Sequence, residues 1–265
     1  MKTDSAFRLK TVALPAEHGG WAFLFEPLLL GLLVAPSWAA FWLSLSALAI
    51  FLIHQPLRTL VKDRLKGKNY QRTQWALRFT VLYGLLALLA FALTLTAAGG
   101  DLGFLLPLAL AVPCAALQLS LEAGQRGRET AAEISGALAL SVLAPAVVLI
   151  AAWTPQQAFF LWLVIAQRAV TSILYVRARL RLERGKPAAV SLALAAHTVA
   201  LLLLGVLAAA GALPWLAALA AGILLLRVLY GLSPYRRPAR AQVIGFQELA
   251  FGLLTVLLAA WGYRS

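Results

Sequence analysis

Charged side chains inside long apolar stretches are the residues of this chain that could best do chemistry. Glu26 lies in the first apolar stretch, Arg168 in the sixth and Glu248 near the start of the ninth. A charge in the hydrocarbon region of a bilayer is costly, so it needs a charged partner or a water-filled cavity. We therefore expect these three side chains to lie close together.

Further charges fall where the stretches begin. Arg78 is near the start of the third stretch, and Glu129 and Glu133 stand at the start of the fifth, four residues apart and so on one helix face. One interpretation is a polar cavity open to the cytoplasm. The alternative is a set of ion pairs between helices, with long side chains reaching out at the helix ends. The cavity would be lined by Glu26, Arg78, Glu129, Glu133, Arg168 and Glu248.

The string Pro15-Ala16-Glu17-His18-Gly19-Gly20-Trp21 is the most distinctive short motif. A helix N-terminus with two glycines offers amide donors to an anion. The same string also fits a helix start anchored by Trp21 at the headgroup layer, and both interpretations stay open. His18 and Glu26 are the candidate proton-transfer groups. His197, alone on a Leu- and Ala-rich segment, indicates a packing role as a neutral, hydrogen-bonded imidazole.

The composition indicates what kind of protein must hold these charged side chains in place. Of the 265 residues 62% are hydrophobic, and the mean hydropathy is +0.84. A soluble domain of this size cannot bury so much apolar surface. We predict an all-α, polytopic membrane protein forming one domain, 1–265. Its nine spans are 19–35, 37–57, 76–98, 102–120, 131–152, 156–175, 188–211, 213–230 and 244–262.

The basic residues predict the topology. Apart from Arg264, the Lys and Arg residues lie in or near the N-terminus and every second connection between spans. This positive-inside pattern places the N-terminus in the cytoplasm and the C-terminus outside. A net charge of +13 then reflects contact with anionic lipid, or a pocket for an anion, rather than nucleic acid. The single cysteine, Cys114, excludes an intramolecular disulfide.

Three sequence stretches resemble the YwiC-like family of bacterial membrane proteins. The first is Pro15-x-Glu17-His18-Gly19-x-Trp21. The second runs from His54-Gln55-Pro56-Leu57 through Lys62-Asp63-Arg64 to Gly67-Lys68. The third combines Arg128 and Glu133 with Gly136-Ala137-Leu138-Ala139. This resemblance implies family membership more than a particular activity.

The predicted architecture is also similar to the UbiA-type intramembrane prenyltransferases. That resemblance implies a nine-helix bundle whose loops after helices two and six hold Mg²⁺ and an isoprenyl diphosphate through Asp-rich motifs. Here residues 54–64 and 177–184 are basic where those aspartates would fall. We therefore predict no two-Mg²⁺ diphosphate site of that kind and name no metal ligand. Either Arg and Lys hold the diphosphate or another anion directly, or the chain is a non-catalytic relative.

The function expected from these patterns is binding or processing of an isoprenoid, a quinone or another anionic amphiphile, with prenyltransferase-like activity as one form. The anionic head would lie near Arg58, Lys62, Arg168 and Arg177, and Arg78, Glu129, Glu133 and Glu248 would complete the site. Two alternatives stay open: an accessory protein for a respiratory complex, and a small ion-coupled transporter. The apolar outer halves of the spans count against transport.

Overall fold

The computed structural model describes residues 9–15, 18–67, 69–127 and 129–265, with the side chain of His18 left out. The described part of the chain is helical and contains no strand, which confirms the predicted all-α class. The helices are α1 Leu9–Ala13, α2 His18–Val34, α3 Trp38–Leu65, α4 Gln71–Ala97, α5 Leu105–Ala123, α6 Thr130–Ser141, α7 Leu143–Ile150, α8 Pro155–Glu183, α9 Val190–Ala209, α10 Trp215–Gly231 and α11 Ala241–Arg264.

The apolar helices correspond to the predicted spans. Seven apolar segments of the described chain are long enough to cross a bilayer, counting α6 and α7 together as Thr130–Ile150. The other two, α2 and α10, have 17 residues each, near the lower limit of about 17 for a spanning helix. The chain is therefore a multi-pass membrane protein.

Proline and capping residues mark where these helices begin and break. Ser37 caps α3 through its hydroxyl, and Thr154 forms a capping box with Gln157 at the start of α8. The predicted span 131–152 is broken at Val142. Pro145 explains the break, because it cannot donate a hydrogen bond to the carbonyl of Ser141 and its ring crowds that group.

Two compact units are formed, and one of them comprises residues 1–21 and 37–101. Its main feature is the antiparallel hairpin of α3 and α4. The Ser46 hydroxyl donates to the carbonyl of Ala87 at 3.0 Å. Tyr83 donates to the carbonyl of Ala13 at 3.3 Å, which attaches α1 to the hairpin.

The second unit comprises residues 22–36 and 102–265. Its core is built mainly from α7, α8, α10 and α11, with Leu30 of α2 and Leu204 of α9 among the fully buried residues. Alanine is frequent in this core. Small side chains let helix backbones approach closely in a membrane, where packing rather than the hydrophobic effect holds helices together. This close packing brings the charged side chains of five helices into contact.

Candidate functional site

One face of α8 carries the polar side chains around which the site is built. Arg168, Ser172, Tyr175 and Arg179 follow one another at intervals of three or four residues, so they form a stripe along the helix. All four are at most 5% exposed. The stripe faces the interior of the second unit, where α2, α10 and α11 supply its partners.

Arg168 joins α8 to α2 and α11, as the sequence predicts. Its Nη2 donates to the backbone carbonyl of Glu248 at 2.8 Å and to Oε1 of Glu26 at 3.3 Å. Its Nη1 lies 3.6 Å from Oε2 of Glu248. The convergence of Glu26, Arg168 and Glu248, expected because each charge in lipid needs a partner, is therefore observed.

Glu248 is the centre of this arrangement. Its Oε2 accepts a hydrogen bond from Ser172 at 2.6 Å, and its Oε1 accepts one from Nη1 of Arg227 on α10. Both carboxylate oxygens therefore have donors from different helices. Hydrogen bonds of this kind, in which the donor or acceptor is charged, are about twice as strong as neutral ones.

His197 on α9 completes the set as a neutral imidazole. Its Nδ1 is 2.7 Å from the carbonyl of Ala193, and its Nε2 is 3.0 Å from Nη2 of Arg227. A carbonyl can only accept, and a guanidinium can only donate. The contacts therefore require a proton on Nδ1 and a lone pair on Nε2. We call Glu26, Arg168, His197, Arg227 and Glu248 the charge network.

Aromatic rings and glycines shape the space around the charge network. The Arg227 guanidinium lies 4.1 Å from the ring centroid of Tyr175 and 5.4 Å from that of Phe251, within cation–π range. A Cβ atom at Gly252 would lie 2.6 Å from Cδ of Glu26, and one at Gly231 would lie 2.8 Å from Cε2 of Tyr175. These glycines therefore leave room that a larger residue would fill.

Burial and charge balance define the electrostatics. The five residues are between 1% and 8% exposed. Two carboxylates face two guanidinium groups, and His197 is neutral, so the network carries no net charge. An unpaired charge at the centre of a membrane helix costs about 2.5–3.5 kcal/mol on insertion scales. Mutual pairing is what makes these charges compatible with an apolar surrounding.

The remaining predicted residues of this unit lie elsewhere. Glu129 pairs with Arg126 at 2.6 Å in the connection before α6, and this guanidinium lowers the pKa of the Glu129 carboxyl. Glu133 pairs with Arg177 at 2.9 Å. Of the six residues predicted to line one cavity, the structure thus brings Glu26, Arg168 and Glu248 together and pairs the two others of this unit separately.

In the first unit, the predicted residues Arg58, Lys62 and Arg78 are exposed. The Arg78 guanidinium lies 4.8 Å from the ring centroid of Trp75. Trp21 donates from Nε1 to the carbonyl of Pro15 at 3.4 Å and so closes the start of α2. Glu17 and the His18 side chain, one of the two predicted proton-transfer groups, lie outside the described residues.

Arg227, Ser172 and Tyr175 were not predicted as site residues. Arg227 lies four residues before the end of α10, where a cation is expected to reach the headgroup layer. Its helix nevertheless carries a signal, since Ala217, Ala220, Leu224, Arg227 and Gly231 follow at intervals of three or four and are all buried. An arginine that continues a stripe of buried, mostly small residues is expected to point into the helix bundle.

A groove lies on another side of α8. It has a volume of about 370 Å³, which is within the range of small-molecule sites, about 300–1,000 Å³. Leu174, Ala178 and Leu192 are among its apolar lining residues, and Thr130, Arg177 and Arg181 are polar. Arg181 donates from Nε to the carbonyl of Pro187 at 2.7 Å, which fixes the connection to α9. Arg177, predicted from the sequence to hold an anionic head, thus lies beside an apolar groove.

Metal-binding side chains are not grouped in the described ranges: no three His, Cys, Asp or Glu residues there come close enough to hold one ion. Asp63, the acidic residue in the basic stretch after the second span, instead accepts from Arg72 at 2.7 and 3.0 Å and from Thr73 at 2.7 Å. These contacts close the turn between α3 and α4.

Comparison with known proteins gives one family. The model of the family described as YwiC-like protein matches residues 14–148, which is just over half of the chain and includes Glu26. No curated protein matches, and no solved structure matches, so the UbiA-like arrangement of the helices stays a prediction. The motif residues also have structural roles: Gln55 donates to the carbonyl of Thr11 at 3.1 Å, and Asp63 closes the α3–α4 turn. The chain belongs to the YwiC-like family of membrane proteins.

Proposed function

We propose that this protein binds an anionic amphiphile of the membrane, such as an isoprenoid-like lipid, at the groove beside α8. It would do so in a bacterial inner membrane, with its N-terminus in the cytoplasm. The observation that carries the proposal is the combination of an apolar groove of about 370 Å³ with Arg177 and Arg181 in its lining. An acyl or prenyl chain fits the apolar part, and the arginines fit the acidic head.

The chemistry of arginine supports an acidic head. A guanidinium offers several N–H donors in a fixed plane and forms bidentate pairs with phosphate or carboxylate oxygens. Arg177 already pairs with Glu133, so the two arginines and this one glutamate leave the groove with a net positive charge. Thr130 adds a hydroxyl to the same lining.

In this proposal the charge network holds α8 in place instead of binding the head. Its charges are balanced, so it does not require an anion from outside. Arg168 and Arg177 are nine residues apart on α8, about 13 Å along the helix axis. Fixing the Arg168 end against α2 and α11 thus fixes the position of the groove. This differs from the expectation that Arg168 itself would contact the head.

The test is lipid retention by the purified protein. We expect native mass spectrometry of the protein released from a mild detergent to show an anionic amphiphile at above its share of the membrane lipid. Replacing both arginines, Arg177→Gln with Arg181→Gln, should weaken that binding about tenfold or more, since a charge-assisted hydrogen bond contributes about 1.5–3 kcal/mol.

The matched control is Arg184→Gln. Arg184 directly follows the same helix and is exposed, but it is not among the groove residues. The Arg184→Gln change removes one positive charge from the same end of α8 without touching the groove. Equal loss of lipid in this control, or no enriched anionic amphiphile in the unmodified protein, would contradict the proposal. Recovery of a stable partner subunit without any lipid would favour an accessory role instead.

A further inference from the structure

The two carboxylates of the charge network have unequal surroundings. Glu248 has a donor on each oxygen, from Ser172 and Arg227, and a second guanidinium at 3.6 Å. Among the residues that the structure describes, Glu26 accepts one hydrogen bond, from Arg168, at 3.3 Å. A buried carboxylate has room for about four donors and is stabilised in its charged form by each one. Glu26 is therefore the less supported anion.

Arg168 does not compensate Glu26 for the hydrogen-bond donors that it lacks. The nitrogen that faces Glu26 is the one that also donates to the carbonyl of Glu248 at 2.8 Å, the shorter of the two contacts. Nε and Nη1 of Arg168 have no hydrogen-bond acceptor among the described residues. Nη2 carries two N–H groups and can donate to both acceptors, so Glu26 keeps one donor from Arg168, and it is the more distant of the two acceptors.

The other titratable member cannot accept a proton without losing a contact. His197 uses Nδ1 toward Ala193 and Nε2 toward an N–H group of Arg227. A proton on Nε2 of His197 would bring two N–H donors, one from His197 and one from Arg227, against each other. Protonation of Glu248 would weaken its hydrogen bond from Arg227 or reverse the one from Ser172, and it would leave two guanidinium groups without the carboxylate that they share. A proton on Glu26 weakens one long hydrogen bond and leaves every other hydrogen bond of the network in place.

From this asymmetry we propose that Glu26 is a reversible proton-binding site inside the membrane. The charged groups that face it are Arg168 on α8, Arg227 on α10 and Glu248 on α11. Proton uptake converts a neutral network into one with a single positive charge, and it removes the ion pair between α2 and α8. Glu248 stays ionised throughout as the fixed partner of both arginines. Arg177 and Arg181 take no part in this exchange.

The test is infrared spectroscopy of the purified protein during a pH titration in lipid nanodiscs. A protonated carboxyl group has a C=O stretching band separate from that of a carboxylate. We expect a band of this kind, growing as the pH falls, in the unmodified protein. Because other carboxyl groups of the chain also become protonated as the pH falls, the band of Glu26 is the one that is missing in Glu26→Gln. It should remain in Glu133→Gln, which alters a half-buried ion pair of the same unit.

A second variant covers the case in which Glu26→Gln does not fold. Glu26→Asp keeps a carboxyl group but shortens its reach, so the band should shift in frequency and in its pH midpoint. Persistence of the unaltered band in Glu26→Gln or in Glu26→Asp would overturn the proposal. So would a titration in which the unmodified protein shows no such band while it stays folded.

Discussion

Gly252 on α11 lies directly against the carboxylate of Glu26 on α2. A Cβ atom built at Gly252 would overlap Oε1 of Glu26 and would lie 2.6 Å from its Cδ and 3.0 Å from Nη2 of Arg168. Because Gly252 has no side chain, the Glu26 carboxylate can reach Arg168.

Gly252→Ala should consequently displace Glu26 and lower the thermal stability of the protein in detergent. Overpacking of a close-packed interior costs about 1–3 kcal/mol. In a Glu26→Ala background the added methyl group has space, so the same substitution should cost much less. Gly245→Ala is the matched control on the same helix, because nothing lies within 4 Å of its Cβ position. Equal effects at both glycines would contradict this relationship.

Glu248→Gln should be among the most damaging single changes in the chain. It leaves Arg227 and Arg168 without their shared carboxylate, and removal of one partner from a buried ion pair costs about 3–5 kcal/mol. Thermal unfolding followed by circular dichroism in detergent would measure the loss. Glu129→Gln also removes a carboxylate from an arginine pair, but this pair is exposed, so its effect should stay within about 1 kcal/mol. Comparable losses in both variants would refute the central role of Glu248.

Asp63→Asn should loosen the turn between α3 and α4. Asp63 is 2% exposed, and its two oxygens accept from Arg72 and Thr73. Hydrogen bonds to a charged group contribute about 1.5–3 kcal/mol each. We expect faster hydrogen exchange in residues 60–75, while Arg64→Gln, an exposed neighbour, should leave exchange unchanged. An unaltered exchange rate in Asp63→Asn would show that the turn does not depend on this carboxylate.

The predicted topology implies that two turns of the first unit are accessible from opposite sides of the membrane. In a Cys114→Ala background, a cysteine at Lys66 should react with a membrane-impermeant maleimide only in opened cells. A cysteine at Asp101 should react in intact cells, because the turns before and after α4 lie on opposite sides of the membrane. The reverse labelling pattern would place the N-terminus outside.

The helices were largely predictable, because a helix that crosses a lipid bilayer must be long enough and apolar enough to do so. Each of the nine predicted spans contains the body of one observed apolar helix or helix pair, and the divisions at Pro36 and Pro214 are confirmed. The helices α3 and α8 extend past the predicted ends of their spans. Residues 58–65 and 176–183 are too basic to count as membrane segments, although they continue the helices without a break.

The site was predictable in part. Glu26, Arg168 and Glu248 stand out because a buried charge requires a partner, and that rule does not depend on tertiary detail. Arg227 was not predicted as a site residue, because its place near the end of a helix does not show which way its side chain points. A cation near a helix end can equally reach the headgroups. Glu129 and Glu133 were grouped with the buried charges, yet each pairs near a helix end, where an arginine stands close by.

The most direct test of the charge network is a double-mutant cycle between Arg227 and Glu248, measured by thermal unfolding in detergent. Arg227→Met and Glu248→Leu should each destabilise the protein strongly, because each leaves the buried charge network with one unbalanced charge. The double variant removes one charge of each sign and leaves Arg168 paired with Glu26, so it should be more stable than either single variant. If the two effects simply add, the balanced network described above does not exist.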